Sequence, residues 1–364
     1  MATTVSIPDF HATALDSIPK VASAARMTFR THKTKSIQWR MVQLRKLYWA
    51  LDDYTPQILA ALKQDLRRSD FESHLIEVDW LKNDCMYTLK HLDAWAKDQK
   101  LRSPDVPAHF SMMNFRVRKE PLGTVLIIGP YNLPIQLLLA PLIGAISAGC
   151  TAVLKPSELT PACAMVIKQI IETRLDASAF AVVNGGIPET NALMNEKWDK
   201  VFFTGSAQVG TIIAKKAAET LTPVVLELGG KNPAFITKNA NLALAAKRLL
   251  WGKVTNCGQV CLSQNYVLID KDIRHFQRIK KMLDNTKGKI VMGGAMDETE
   301  NFIEPTAVLV NSVDDSMMQE ESFGPVFSIY PFNTLDEALN VANLIHRTPL
   351  SLFSFASKAE NKRR

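Results

Sequence analysis

The chain has 364 residues, longer than one hydrophobic core usually serves, so two domains are expected. Its 47% hydrophobic and 22% charged residues describe an ordinary soluble globular protein. The net charge of +7 is concentrated in part at the end, where Lys358, Lys362, Arg363 and Arg364 outnumber Glu360; elsewhere cations and acids interleave without an aromatic-basic stripe, which argues against a nucleic-acid partner.

The five cysteines (Cys85, Cys150, Cys163, Cys257 and Cys261) are too sparse for a disulfide scaffold and point to a reducing compartment. The N-terminus has neither a basic start nor an apolar core, so no secretory signal is read there and a cytoplasmic location is expected.

From Thr13 to Gln99 the pattern is helical, with Met41, Leu44, Leu47, Tyr48 and Leu51 recurring at three- and four-residue spacing. Leu101 to His109 holds two prolines and reads as a connection, and Phe115–Glu120 alternates as an exposed strand would. Residues 125–150 are apolar enough to suggest a membrane span. Pro130, Asn132, Pro134, Gln136 and Pro141 interrupt them, so a buried strand, loop and helix is expected and no membrane segment.

From Gly123 onward short apolar runs alternate with helical stretches. Strands are expected at Thr124–Ile128, Thr151–Leu154, Ala181–Val183, Lys200–Thr204 and Thr222–Leu226, and helices from Ala140 to Ala148 and from Pro161 to Glu172. Such βαβ units build a parallel sheet covered on both faces. The fold class is therefore α/β, a doubly wound, Rossmann-like cofactor domain followed by a second α/β domain. The boundaries are 1–228, including a bridging strand near 113–120, then 229–355, then a basic tail at 356–364.

Four loops of the first domain carry chemistry-bearing residues. Gly129-Pro-Tyr-Asn-Leu-Pro134 holds Asn132 between prolines, and a neutral amide in so stiff a loop suits a developing oxyanion. Leu154-Lys-Pro-Ser-Glu158 puts Lys155 and Glu158 past a strand end, where they could grip ribose hydroxyls or form a solvated loop. In Thr204-Gly-Ser-Ala-Gln-Val-Gly210, Gly205 frees the turn, Ser206 caps, and a helix N-terminus that includes Gly210 offers amides to a phosphate; a plain strand-to-helix turn is the other reading. Leu226-Glu-Leu-Gly-Gly-Lys231 supplies Glu227.

In the second domain Cys261 lies 34 residues after Glu227, too far to share a helix. Separated nucleophile and base residues of this kind suggest covalent catalysis followed by hydrolysis, with the carboxylate taking a proton from water or from the thiol. Glu321-Ser-Phe-Gly-Pro325 places Glu321 and Phe323 before a turn. The seven histidines have no ligand spacing, so no metal site is expected.

Taken in order, these motifs resemble the aldehyde dehydrogenase superfamily over about Arg26 to Phe353, with Leu226–Lys231 and Gly258–Cys261 the most specific pieces. Glu120–Pro130 and Met318–Pro325 are similar to the class 3 or fatty-aldehyde branch. The resemblance implies NAD(P)-dependent oxidation of an aldehyde to a carboxylic acid through a thiohemiacetal and a thioester on Cys261. It implies that Asn132 holds the oxyanion and that Glu227 activates water. It further implies that Lys155 and Glu158 contact the adenosine ribose and that Gly205, Ser206 and Gly210 form the pyrophosphate turn. Glu321, with Phe323 beside it, matches the nicotinamide-ribose contact. Glu158 favours the 2′-hydroxyl of NAD over the 2′-phosphate of NADP, because like charges repel.

The expected partner is a small aldehyde, and the family's dimer interface includes a C-terminal strand. The alternative is a non-catalytic relative that binds nucleotide or a partner subunit; an acyl-thioester enzyme built on Cys261 is a third reading.

Three departures from the family pattern stand out. Asp270 and Arg274 nearly adjoin, where the family has an intervening helix and connection. The family's C-terminal portion is lacking, so the second domain is expected to be incomplete, the chain being a truncated or alternatively spliced product or a faulty gene model. The run Leu262–Tyr266 lacks the usual Pro and Asp. Cys257 reads as a small buried side chain, with oxidative pairing to Cys261 as the alternative.

Overall fold

The computed structural model describes residues 6–101, 107–113, 115–270, 288–297, 302–319, 321–357 and 360. Part of the expected connection after Leu101, Arg274 with its neighbours, and most of the basic tail lie outside these residues. The chain divides into two compact units, Met1–Glu227 and Leu228–Arg364.

The first unit opens with helices α1 (Ile18–Arg30), α2 (Ile37–Asp53), α3 (Thr55–Leu66), the short α4 (Asp70–Ser73) and α5 (Asp79–Ala96). Leu44, Leu47 and Leu51, the stripe read from the sequence, are buried on α2 with Leu81, Cys85 and Leu92 of α5. Strands β1 (Gln99–Lys100) and β2 (Arg116–Val117) then pair as an antiparallel two-residue ribbon. The strand expected over Phe115–Glu120 is reduced to Arg116–Val117. Alternation alone does not hold a strand there: all four ribbon residues are exposed, so no buried face extends the pairing.

The sheet that follows comprises β3 (Thr124–Ile128), β4 (Thr151–Lys155), β5 (Phe180–Val182), β6 (Lys200–Gly205) and β7 (Val224–Leu228), in the order β5-β4-β3-β6-β7. Every residue of β3 and β4 is buried, as expected of central parallel strands covered on both faces. Helices α6 (Gln136–Ala148), α7 (Pro161–Arg174), α8 (Ile187–Asn195) and α9 (Ala207–Ala218) connect the strands. From β3 the chain runs outward through β4 to β5, then returns to the other side of β3 for β6 and β7. The order therefore reverses between β3 and β6, the place where open α/β sheets bind ligands beyond the carboxyl ends of their strands.

The second unit holds a six-stranded sheet, β10-β13-β14-β9-β8-β15, in which only the β10–β13 pairing is antiparallel. Its strands are β8 (Asn232–Ile236), β9 (Gln264–Asp270), β10 (Lys289–Met292), β13 (Thr306–Leu309), β14 (Val326–Phe332) and β15 (Phe353–Phe355), with the β11 (Met296–Asp297) and β12 (Phe302–Ile303) pair beside them in sequence. Its helices among the described residues include α10 (Leu242–Val254), α11 (Ser316–Gln319) and α12 (Leu335–Ile345).

Period-two alternation gives this sheet two cores. Ala234, Ile236, Val267 and Leu309 join Ala245 and Leu249 of α10, whereas Phe235, Tyr266, Leu268 and Val308 join Ala338 and Val341 of α12. Among the described residues no helix is long and apolar enough to cross a membrane.

Candidate active site

The residues singled out in the first unit lie at or near the carboxyl ends of its strands. Asn132 follows β3 in the loop before α6, buried at 3% exposure. Gly129 opens that loop, its N–H bonded to the Lys155 carbonyl at 3.0 Å; a Cβ there would lie 2.9 Å from the Leu138 side chain, so the loop starts hard against α6.

Lys155 ends β4 and is buried, yet its Nζ reaches Glu158 Oε2 at 2.7 Å. Burial raises the Glu158 carboxyl, but the hydrogen bond and charge of Lys155 outweigh it and hold the group below its ordinary value. The two therefore form one polar unit with Glu158 half exposed.

At the end of β6, Ser206 is the N-cap of α9: its Oγ accepts the Val209 N–H at 3.3 Å. A Cβ on Gly205 would lie 2.6 Å from the Phe203 ring, so a larger residue at this turn would have to displace that ring, and Gly210 is buried in the first turn of α9. Amide loop, ammonium–carboxylate pair and helix N-terminus lie at the carboxyl ends of the adjacent strands β3, β4 and β6. That donor set fits the diphosphate and ribose hydroxyls of a dinucleotide. Glu227 is exposed near the end of β7 and closes this unit.

In the second unit α10 leads to the thiol. Asn241 caps its start, accepting the Leu244 N–H at 3.0 Å. Beyond Thr255 the backbone turns left-handed at Asn256 (φ 53°), Cys257 (φ 55°) and Gly258 (φ 77°). Two successive non-glycine residues in that region store strain, which here is set against the hydrogen bonds of Asn256 and Gln259 to each other's carbonyls at 3.2 Å.

Cys261 is half-buried in the following turn. Its carbonyl accepts from Nδ2 of Asn232, the first residue of β8, at 2.7 Å. Cys257 is exposed and not buried as expected, because the left-handed turn carries it away from the α10 core; neither it nor Cys261 is in a disulfide.

Glu321 packs on the Gly229–Gly230 turn, where a Cβ at Gly229 would lie 2.6 Å from its Oε2. Burial raises its carboxyl, opposed by the charge of Lys253 and the Gly230 N–H. Lys253, at 1% exposure, donates from Nζ to Ser322 Oγ at 2.8 Å. Burial pushes it down to about 8, against the pull of Glu321. Phe323 takes a positive φ of 35°, and the adjacent Gly324 carbonyl would be 2.1 Å from a Cβ on Gly258, so the Phe323 turn and the thiol loop touch backbone to backbone.

Sequence reading did not single out Asn232 or Lys253. The signal for Lys253 was present: Ala245, Leu249 and Lys253 recur every four residues, a cation on the buried stripe of α10. Asn232 carried none, because both of its acceptors lie about thirty residues away.

The sequence model of the aldehyde dehydrogenase family matches residues 2–287 and 273–348, two pieces that overlap over 273–287, beside the point where a missing block was expected. The β-apo-4′-carotenal oxygenase of Neurospora crassa is 65% identical over 394 aligned positions covering 100% of this chain and 74% of that protein. An alignment of 394 positions against 364 residues leaves at least 30 positions of the relative without a counterpart. The Gibberella fujikuroi protein of the same name is 47% identical over 98% of this chain and 72% of its own length, and the 4,4′-diaponeurosporen-aldehyde dehydrogenase of Staphylococcus aureus is 39% identical over 92% and 78%. Among solved structures, the substrate-bound S. aureus AldH superposes with a TM-score of 0.86 at 36% identity, covering 95% of this chain and 82% of that one.

Proposed function

The chain belongs to the aldehyde dehydrogenase family, which oxidises aldehydes to carboxylic acids with a nicotinamide cofactor, and from that premise we propose that it oxidises a carotenoid-type aldehyde with NAD through covalent catalysis at Cys261. The observation that carries the reading is the thiol's setting: a half-buried cysteine whose carbonyl is clamped by a buried amide after a strained left-handed turn. Backbone held in so costly a form is characteristic of sites where geometry serves chemistry.

The Cys261 sulfur attacks the carbonyl carbon as a thiolate, forming a C–S bond and placing the C=O electron pair on oxygen. The Asn132 amide donates to that oxygen, a contact of a kind worth about 10²–10³ in rate. A bound nicotinamide supplies the acceptor for the two electrons and one hydrogen that the substrate carbon loses. The resulting thioester is opened by water, Glu227 taking the water's proton, and the acid leaves as the thiolate is restored. Lys155, Glu158 and the Gly205–Gly210 turn hold the adenosine and diphosphate portion, and Glu321 and Phe323 the nicotinamide ribose. Glu158 beside Lys155 favours NAD over NADP.

The substrate class rests on the relatives, since the proteins at 65%, 47% and 39% identity are all named for carotenoid-derived aldehydes. The test is anaerobic turnover of purified protein with an apocarotenal and NAD, beside Cys261→Ala. Reduced cofactor formed without O₂, acid oxygen drawn from isotopically labelled water, and loss of both in the variant support the reading. Cofactor binding without turnover by folded protein would overturn it in favour of a non-catalytic nucleotide-binding relative.

A further inference from the structure

The first unit contains a buried ion pair that the reaction outlined above does not use. Glu77 lies in a π-helical turn, His74–Val78, between α4 and α5, and Arg68 follows the left-handed C-cap of α3 at Arg67. Both side chains are essentially inaccessible, at 1% and 0% exposure for Arg68 and Glu77. Arg68 Nη1 donates to Glu77 Oε1. The other carboxylate oxygen accepts two main-chain N–H groups, Ile135 at 3.1 Å and Gln136 at 2.7 Å, and the other guanidinium nitrogen donates to the Asn132 carbonyl at 2.5 Å.

Three of these four contacts converge on one short segment, Asn132 to Gln136. Helix α6 has no side-chain cap of its own, because Ile135 occupies the N-cap position. Glu77, 58 residues earlier, supplies the missing acceptor and sets a negative charge at the positive end of the helix. Arg68 fixes the same segment three residues upstream. Asn132 and Gln136 thus bracket a loop held at both ends by a single ion pair. A π turn at this place has a physical reason, since an extra residue per turn rotates the carboxylate inward, and such turns recur at functional sites.

We propose that Arg68 and Glu77 are positioning residues that hold the Asn132 amide where the aldehyde oxygen develops its negative charge. The proposal rests on the oxyanion role assigned to Asn132, and the pair itself touches no substrate. A donor in an oxyanion site acts only when fixed at hydrogen-bond distance beforehand, and a stiff buried pair supplies that fixity where a surface loop could not.

The test is a double-mutant cycle with Asn132→Ala. Arg68→Met combined with Glu77→Leu removes both charges and keeps the volume, a replacement that folded proteins often tolerate. Arg68→Lys, which retains the charge but loses the fork, is the second variant should the pair fail to fold. With folding verified by thermal melts, we expect kcat to fall about 100-fold for the charge-free pair and less for Arg68→Lys, with KM nearly unchanged. In the Asn132→Ala background the same changes should cost less than about 3-fold, since they would act through a group already gone. Losses that multiply in full would overturn the proposal, as would unchanged kcat in folded Arg68→Met/Glu77→Leu. Unchanged kcat in Asn132→Ala alone would instead remove the oxyanion role, a failure of the underlying reading that the cycle tells apart.

Discussion

The buried side-chain amide of Asn232 donates to the main-chain carbonyl of Cys261 at 2.7 Å, and with its other hydrogen to that of Ser263 at 2.9 Å. Its own oxygen accepts the Ser351 N–H at 2.8 Å. One side chain at the head of β8 therefore ties the thiol turn to the segment preceding β15. Asn232→Ala would leave two carbonyls and one amide unsatisfied in a largely buried site, each costing about 1–3 kcal/mol. We expect a loss of at least about 3 kcal/mol in urea unfolding and a changed rate of Cys261 alkylation. A stability loss with unaltered alkylation would show that the amide serves the fold alone.

The five cysteines should fall into two classes. Burial pushes Cys85 up to about 12 and raises Cys150 and Cys163 as well, which leaves them almost wholly as thiols at neutral pH. Cys257 is exposed and Cys261 half exposed. Alkylation of native protein at neutral pH should therefore modify these two before any of the others, with the remaining three reacting only on unfolding. Early modification of Cys163 would contradict its burial on the inner face of α7.

Lys253 gives the second unit a pH dependence of known sign. Its folded value of about 8 lies below the ordinary lysine value near 10.4, so between those limits the unfolded chain binds more protons. Its contribution to stability is thus lowest below about pH 8 and rises toward pH 10.5, by at most about 3 kcal/mol. Buried thiols titrate in the opposite direction, so the diagnostic is the difference between the native chain and Lys253→Met across pH 7.5 to 10. The gap in Tm should change with pH over that window, and a constant gap would mean Lys253 is not held charged in a dry site.

Two glycines should respond oppositely to alanine. At Gly258, φ is +77° and a Cβ would lie 2.1 Å from the Gly324 carbonyl, so Gly258→Ala should cost more than the roughly 1–3 kcal/mol of backbone strain alone. At Gly144, inside α6, a Cβ meets nothing within 4 Å, and Gly144→Ala should stabilise by about 0.5–1 kcal/mol. Thermal melts of the two variants check both signs at once; equal shifts would mean that contact with the Phe323 turn does not constrain the thiol loop.

What the sequence determined by itself was whatever neighbouring residues decide. Thr124–Ile128 and Thr151–Lys155 are short apolar runs bounded by turn residues, and such runs fold as buried parallel strands wherever helices can cover them. The Ser206 cap is equally local, its acceptor lying three residues from the N–H it satisfies. Family motifs added the candidate residues Cys261, Asn132 and Glu227. Local pattern misled where no packing enforced it, as in the alternation of Phe115–Glu120, which yields two paired exposed residues, and at Cys257, whose small apolar character was overruled by a left-handed turn. Only the tertiary structure decided what fixes those candidates: Glu77 capping a helix 58 residues on, Arg68 gripping the Asn132 carbonyl, Asn232 clamping Cys261, and Lys253 buried against Ser322. Each of these contacts joins polar groups remote in sequence, and its strength comes from exclusion of water, a property of the packed interior that no window of the chain possesses.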